Sequence, residues 1–177
     1  VMPSDNPSVA YITEPIEMDG IITGYQLLSV KQEYQTAEIV IIPSSISIGP
    51  SVSPIPVLEV SSELLTGCTN ATEVEISKGI SSDVKNNLTT AIANNNRIQK
   101  ITISLNDIGA VDFTNDNLSL TEAYLYENDS YGANAIPSSL FSGNNKIESV
   151  TIQGAIYEIG EAAFSGCQRL KTVTIDY

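Results

Sequence analysis

Four stretches of this chain are written on one template. FSGCQRLKTVTI starts at Phe164, FSGNNKIESVTI at Phe141, IANNNRIQKITI at Ile92 and LTGCTNATEVEI at Leu65. Each has a large apolar residue, five mostly small or polar residues, an apolar or small residue, two polar residues and then apolar-polar-apolar. A weaker copy runs from Phe113 to Leu125 with one extra residue, and a sixth ends near Ile41 or Ile42. The apolar-polar-apolar units end at Ile76, Ile103, Leu125, Ile152 and Ile175, at spacings of 27, 22, 27 and 23 residues. A period in this range belongs to repeat proteins, in which no single unit buries its own apolar face and stability comes from stacked neighbours.

The template predicts one short strand per repeat: Val74–Ile76, Ile101–Ile103, Ala123–Leu125, Val150–Ile152 and Val173–Ile175. Alternation turns the first and third residues of each unit inward and the middle one outward. Stacked strands then form a parallel sheet at about 4.8 Å per strand. Phe113, Phe141 and Phe164 are expected to fill the interior from the opposite wall. Ser81-Ser82-Asp83, followed by Val84, Leu88, Ala91 and Ile92, predicts a Ser-capped helix. Ser61–Leu65 and Gly160–Phe164 are each expected to form one short helical turn.

The connecting segments repeat too. Ile159–Phe164 matches Ile108–Phe113, and Ile41–Gly49 reads as the same turn as Ile136–Phe141. Together these motifs resemble the BspA-like class of leucine-rich repeats, whose units read IP-SV-IG-AF-GC-L-V-I. The resemblance covers about residues 39–177 and is most specific at Ile159–Ile175. The spacing departs from the class in being irregular, and three of the copies lack its Cys. The resemblance implies a right-handed leucine-rich-repeat coil, an α/β to mainly β solenoid with a short-stranded parallel sheet and short helical or irregular convex segments. It further implies a secreted or cell-surface protein of the kind that gut and oral microbes use to adhere to host proteins or other cells.

The domain reading follows. Residues 39–177 form a solenoid of about five to six coils. Residues 1–38 form an N-terminal capping segment, with Asp19-Gly20 as the turn of a hairpin; a poorly formed first repeat is the other reading of that segment. Pro50–Pro56 cannot be a central strand or a helix and is expected to be a loop inserted in the first coil. An open solenoid end exposes apolar surface, so either a continuing chain or a second copy is expected to pack on Val173–Tyr177. Cys68 and Cys167 hold the same template position about four coils apart, roughly 19 Å at the strand spacing. A disulfide needs Cα atoms within about 7 Å, so two free, buried thiols are expected.

Composition narrows the function. The 177 residues carry a net charge of −13, with 8 basic and 21 acidic residues and no His. Such a surface repels phosphate backbones and anionic membranes, so neither nucleic acid nor membrane insertion is expected. The absence of His removes His-dependent catalysis and His metal ligands. Hydrophobic residues make up 42% and charged ones 16%, which is the balance of a chain that buries a core. No run approaches the roughly 20 apolar residues of a membrane helix, and no stretch reads as a secretion signal.

The candidate chemistries are weak. Ser82-Asp83-Val84-Lys85 matches Ser-x-x-Lys but lacks the accompanying Lys-Thr-Gly motif, so it reads as a helix start. Asp112, Asn115, Asp116 and Asn117 are expected to form a turn rather than a calcium loop. Asn70, Asn87, Asn117 and Asn128 are glycosylation sequons only in a secreted eukaryotic protein. The sequence therefore predicts a protein with no enzymatic activity, no cofactor and no metal. The outward sheet positions carry the candidate ligand site: Lys100, Thr102, Glu122, Tyr124, Tyr126, Thr151 and Thr174, beside Glu73, Glu75 and Thr172. Tyr124 and Tyr126 flank Leu125 on one face, and exposed aromatics of this kind anchor sugars or protein partners. The expected function is a cell-surface or secreted adhesion module that recognises a protein or a glycan. The alternative is an assembly domain of a larger surface fibre or phage appendage, with homo-oligomers forming through the uncapped last coil.

Overall fold

The computed structural model describes residues 1–127 and 134–176; Asn128 and Tyr177 lie outside them. In chain order the strands are β1 (Tyr11–Met18), β2 (Ile21–Val30), β3 (Ile39–Ile42), β4 (Ser45–Ile46), β5 (Ile55–Val60) and β6 (Glu73–Ile76). Helix α1 (Lys85–Ala93) precedes β7 (Lys100–Ser104), β8 (Glu122–Tyr126), β9 (Asn134–Ile136), β10 (Ser149–Gln153), β11 (Ile156–Ile159) and β12 (Thr172–Asp176).

Each repeat strand lies beside its predecessor. β3, β6, β7, β8, β10 and β12 form one six-stranded sheet in which all neighbours run parallel. The register is the one that the template demands. Val74 faces Ile101, then Ala123, Val150 and Val173, while Ile103 faces Leu125, Ile152 and Ile175. From β6 to β10 these inward residues are at most 2% exposed. The opposite wall supplies a ladder of rings. Phe113 and Phe141 lie 5.0 Å apart and Phe141 and Phe164 5.5 Å, close to the strand spacing, so each of the last three repeats contributes one ring.

A second, polar ladder runs beside the rings. The fourth template position is Asn95, Asn144 or Cys167, and each donates to the carbonyl of the large apolar residue one repeat earlier. Asn95 Nδ2 reaches Leu65 O at 3.3 Å and Cys68 O at 2.9 Å, Asn144 Nδ2 reaches Phe113 O at 2.8 Å, and Cys167 Sγ reaches Phe141 O at 3.1 Å. Asn144 Oδ1 also accepts from the amides of Lys146 and Ile147, both at 3.0 Å. These bonds satisfy buried backbone groups that no strand serves.

The helix forms where the apolar spacing places it. Ser81 Oγ accepts from the Asp83 amide at 3.2 Å, a 3-10 turn spans Ser82–Val84, and α1 buries Leu88, Ala91 and Ile92. At the hairpin turn Asp19 and Gly20 both have positive φ, 52° and 77°, as a type I′ connection requires. β1 and β2 pair antiparallel across it. The hairpin is continuous with the rest of the molecule: Met2, Tyr11, Leu27 and Val30 belong to the same buried cluster as Val40 and Val74. The Tyr11 hydroxyl donates to Ile41 O on β3 at 2.7 Å, and burial pushes its pKa well above 10.

Five expectations need correction. The architecture is of leucine-rich-repeat type but not a uniform stack, because β1, β2, β5 and β4 form a mixed four-stranded sheet at the N-terminal end. The segment Pro50–Pro56 is not all loop: Ile55 and Pro56 open β5, which lies between β2 and β4. Pro56 is tolerated because pairing with β2 begins only at Val57, so its missing N–H interrupts no bond on that side. The short segments Ser61–Leu65 and Gly160–Phe164 are turns rather than helices, closed by Leu64 N to Ser61 O at 3.0 Å and Ala163 N to Gly160 O at 3.2 Å. The matched segments Ile41–Gly49 and Ile136–Phe141 part company as well: Ser45 enters β4, whereas Ser138 and Ser139 lie in a turn. Both cysteines are free, but only Cys68 is buried; Cys167, with Phe164 and Ile175, is half-buried, and Val173 is 40% exposed. Among the described residues no further repeat covers that coil.

Candidate functional site

The parallel sheet turns the middle residue of every unit to its outer face, and the register lines these residues up in rows. One row runs Ile39, Glu73, Lys100, Glu122, Ser149 and Thr172; the next runs Ile41, Glu75, Thr102, Tyr124, Thr151 and Thr174. A shorter third row holds Ser104, Tyr126, Gln153 and Asp176. All seven proposed ligand-site residues, Lys100, Thr102, Glu122, Tyr124, Tyr126, Thr151 and Thr174, therefore stand on one face, although they come from four strands.

Within that face the groups divide into two clusters. Glu73 holds the first: its Oε1 accepts from Thr102 Oγ1 at 3.0 Å and pairs with Lys100 Nζ at 3.5 Å. This pair is partly exposed and contributes order more than stability. The second cluster is aromatic. The Tyr124 and Tyr126 rings lie 6.4 Å apart and 29° from parallel. Two residues apart on one strand, they share a face by alternation and form a plate beside the exposed Glu122 carboxylate. The Tyr124 hydroxyl donates to Gln153 Oε1 on the neighbouring strand. Lys78 Nζ sits 5.5 Å from the centre of the Tyr126 ring, within cation–π range.

The electrostatics around Tyr126 are set by β6 and by the loops after β6 and β7. Partial burial raises the Tyr126 phenol above its usual pKa, and the carboxylates of Asp107 and Glu75 add to the shift. Asp107 is itself raised, chiefly by burial, and this is opposed by the bond from the Gly79 amide to its Oδ2 at 3.1 Å and by the Lys78 charge. Asp107 thus ties the two loops together at the edge of the plate.

Sequence reasoning passes over Gln153, Lys78 and Asp107. Alternation carried two residues past Thr151 finds Gln153. Nothing periodic marks Lys78 or Asp107, because they lie in loops whose approach is set by the stacking of coils.

The other motifs gather no site. Lys85 lines a cavity of about 250 Å³ with Asp112, Phe113 and Leu140, but Ser82 does not. Asp112 bonds its own turn, accepting from Thr114 N at 3.0 Å and Thr114 Oγ1 at 2.6 Å; the Thr114 hydroxyl is the main reason that its carboxyl is lowered. Asn115 Oδ1 accepts from the Asn117 amide at 2.9 Å. These groups are turn formers. Among the described residues, no group of three or more His, Cys, Asp or Glu side chains is placed to hold a metal ion. No helix among them is long and apolar enough to cross a membrane.

A family model described as the BspA type leucine-rich repeat region, in 6 copies, matches residues 44–171. The chain belongs to this family. Among solved structures it is similar to the leucine-rich repeat protein TpLRR of T. pallidum, at 17% identity and a TM-score of 0.40, over 95% of this chain and 70% of that one. It is also similar to a leucine-rich repeat protein of Bacteroides ovatus, at 12% identity and a TM-score of 0.32, over 94% and 70% of the two chains. A third likeness is to a leucine rich cell surface protein of Faecalibacterium prausnitzii, at 14% identity and a TM-score of 0.28, over 87% and 51%. No curated protein matches the chain.

Proposed function

We propose that this BspA-type repeat chain is a non-enzymatic binding and adhesion module, secreted or held on a cell surface, whose outward sheet face recognises a protein or a glycan. Family membership supports the general class. The observation that carries the reading is the plate of Tyr124 and Tyr126, set in a face of hydrogen-bonding Thr, Glu and Gln side chains. Aromatic side chains of this kind bury large area at low entropic cost and dominate binding energy where they occur. In this reading residues 39–177 form a right-handed solenoid and residues 1–38 cap its first coil. The acidic surface disfavours nucleic acid and anionic membranes as partners. No cofactor is required. Binding to an array of glycans and to a panel of immobilised extracellular proteins, compared between wild type and the Tyr124→Ala/Tyr126→Ala double variant, tests this reading. A ligand that the variant loses at least tenfold supports it. A chain that binds nothing, or a variant that binds equally well, overturns it.

A second reading rests on the last coil. Val173 on β12 and Tyr157 and Ile159 on β11 are 40%, 64% and 48% exposed. These residues suit packing against a second copy in a larger surface assembly. Light scattering at several concentrations decides it: a concentration-dependent dimer or larger species favours assembly, and a monomer throughout removes it.

A further inference from the structure

Within the binding-face reading, we infer that the plate of Tyr124 and Tyr126 is a subsite for the cationic side chains of an extended basic peptide segment laid across the sheet. Three observations lead there. The first is the occupant already present. Lys78 places its ammonium 5.5 Å from the Tyr126 ring centre, so this plate takes a cation in the folded protein. The Tyr124 ring stands next along the strand, 6.4 Å away and 29° from parallel, and is the second aromatic partner open to a cation. The second is charge. Glu122 stands exposed beside Tyr124, Glu75 lies two strands away in the Tyr124 row, and Asp176 ends the Tyr126 row. The Lys100 ammonium on this face is paired with Glu73, and the whole chain carries −13. A cation arriving there meets a ring face and carboxylates together, and the surrounding field steers it in.

The third observation is dimension. Six parallel strands at about 4.8 Å span roughly 24 Å, the reach of about seven extended residues. A peptide crossing the strands meets Glu75, Thr102, Tyr124, Thr151 and Thr174 in succession. Its alternate side chains face the sheet, so arginines at every second position address the plate and its flanking carboxylates. Arginine suits the site better than lysine, because its planar guanidinium stacks on an aromatic face and also donates in pairs to a carboxylate.

The probe is a seven-residue peptide alternating arginine and serine with blocked ends, titrated into nitrogen-15-labelled protein and followed by amide chemical shifts. Saturable shifts are expected at Glu122, Tyr124, Tyr126 and Thr151, with at least tenfold weaker binding at 500 mM than at 50 mM salt. The same peptide with glutamate for arginine is expected to shift none of them. Tyr124→Ala should weaken binding at least tenfold, whereas Tyr124→Phe, which keeps the ring and loses the bond to Gln153, should keep it. Lys78→Ala removes the internal competitor and should tighten binding two- to threefold. A neutral hexasaccharide is the opposing probe. If it shifts these amides and the arginine peptide does not, the peptide assignment fails while the binding-face reading stands. If neither probe shifts them, the peptide assignment fails, and the binding-face reading is decided by the array and panel comparison of wild type with the double variant. Peptide binding that survives Tyr124→Ala unchanged also overturns the assignment.

Discussion

The repeats that end in β10 and β12 follow one template, FSGNNKIESVTI and FSGCQRLKTVTI, with six of twelve residues identical, yet they live in different environments. In the first, Phe141, Ile147, Val150 and Ile152 are at most 1% exposed. In the second, Phe164, Leu170 and Ile175 are half-buried and Val173 is 40% exposed. Both strands take part in the same ladder, and both large rings stack in the same column. The difference is a neighbour. The β10 repeat is covered on both sides, by β8 and β12, and the β12 repeat on one. The template decides which way a side chain points. Only the adjacent coil decides whether water reaches it.

The largest test of this comparison is a matched pair of truncations. Phe141→Ala should cost about 3–5 kcal/mol, the price of an emptied site in a closed core. Phe164→Ala, with one side of its ring open, should cost about 1–2 kcal/mol, because less area is withdrawn from water. Urea denaturation measures both. Equal losses would mean that the last coil is covered in solution.

Next comes the polar ladder. Asn144→Ala leaves the Phe113 carbonyl and the Lys146 and Ile147 amides without their partner, which should cost about 1–3 kcal/mol. Cys167→Ala removes one weaker donor from a half-open site and should cost well under about 1 kcal/mol. A reversal of this order would assign the ladder's stability to the Cys rather than the Asn repeats.

The thiols sharpen the contrast kinetically. Burial raises the Cys68 thiol to about 11; burial raises Cys167 as well, but that thiol is only half-buried. At pH 8 a thiol reagent should label Cys167 in the native protein and Cys68 only after unfolding. Simultaneous labelling would show that the first coils open as readily as the last.

The smallest effect concerns the loops beside the tyrosine plate. The folded Asp107 carboxyl is raised above its unfolded value, so its ionisation costs stability. That cost is absent below the unfolded pKa, near 3.8, and is complete once pH has risen through the folded pKa. Asp107→Asn can keep an oxygen for the Gly79 amide and removes this cost. The variant should therefore gain stability relative to wild type as pH rises from 3 to 7. Denaturation midpoints at the two pH values measure the gain, and a loss at pH 7 would mean that attraction to Lys78 outweighs burial.

Much of the fold is legible in the sequence because a repeat states its environment several times over. The positions of β6, β7, β8, β10 and β12, the inward residues, the Ser81 cap and the Asp19-Gly20 turn all rest on local rules of alternation, capping and backbone conformation. The outward row through Thr102, Tyr124, Thr151 and Thr174 follows from the same alternation. Less legible is the N-terminal end. There the prolines argued for a loop, yet β5 pairs with β2 and β4, because Pro56 lies just before pairing with β2 begins.

What the sequence determined by itself is direction: which residues face the core, which face the solvent, and how far one strand lies from the next in the chain. Tertiary structure decided what direction leaves open. It placed Lys78 over Tyr126 and bound Asp107 to Gly79, contacts between residues 28 or more positions apart in the chain. It also left Phe164 and Cys167 half-open where Phe141 and Cys68 are closed. Periodicity is a property of one chain segment, whereas burial and loop-to-loop contact are properties of two segments brought together, and no local pattern encodes the second.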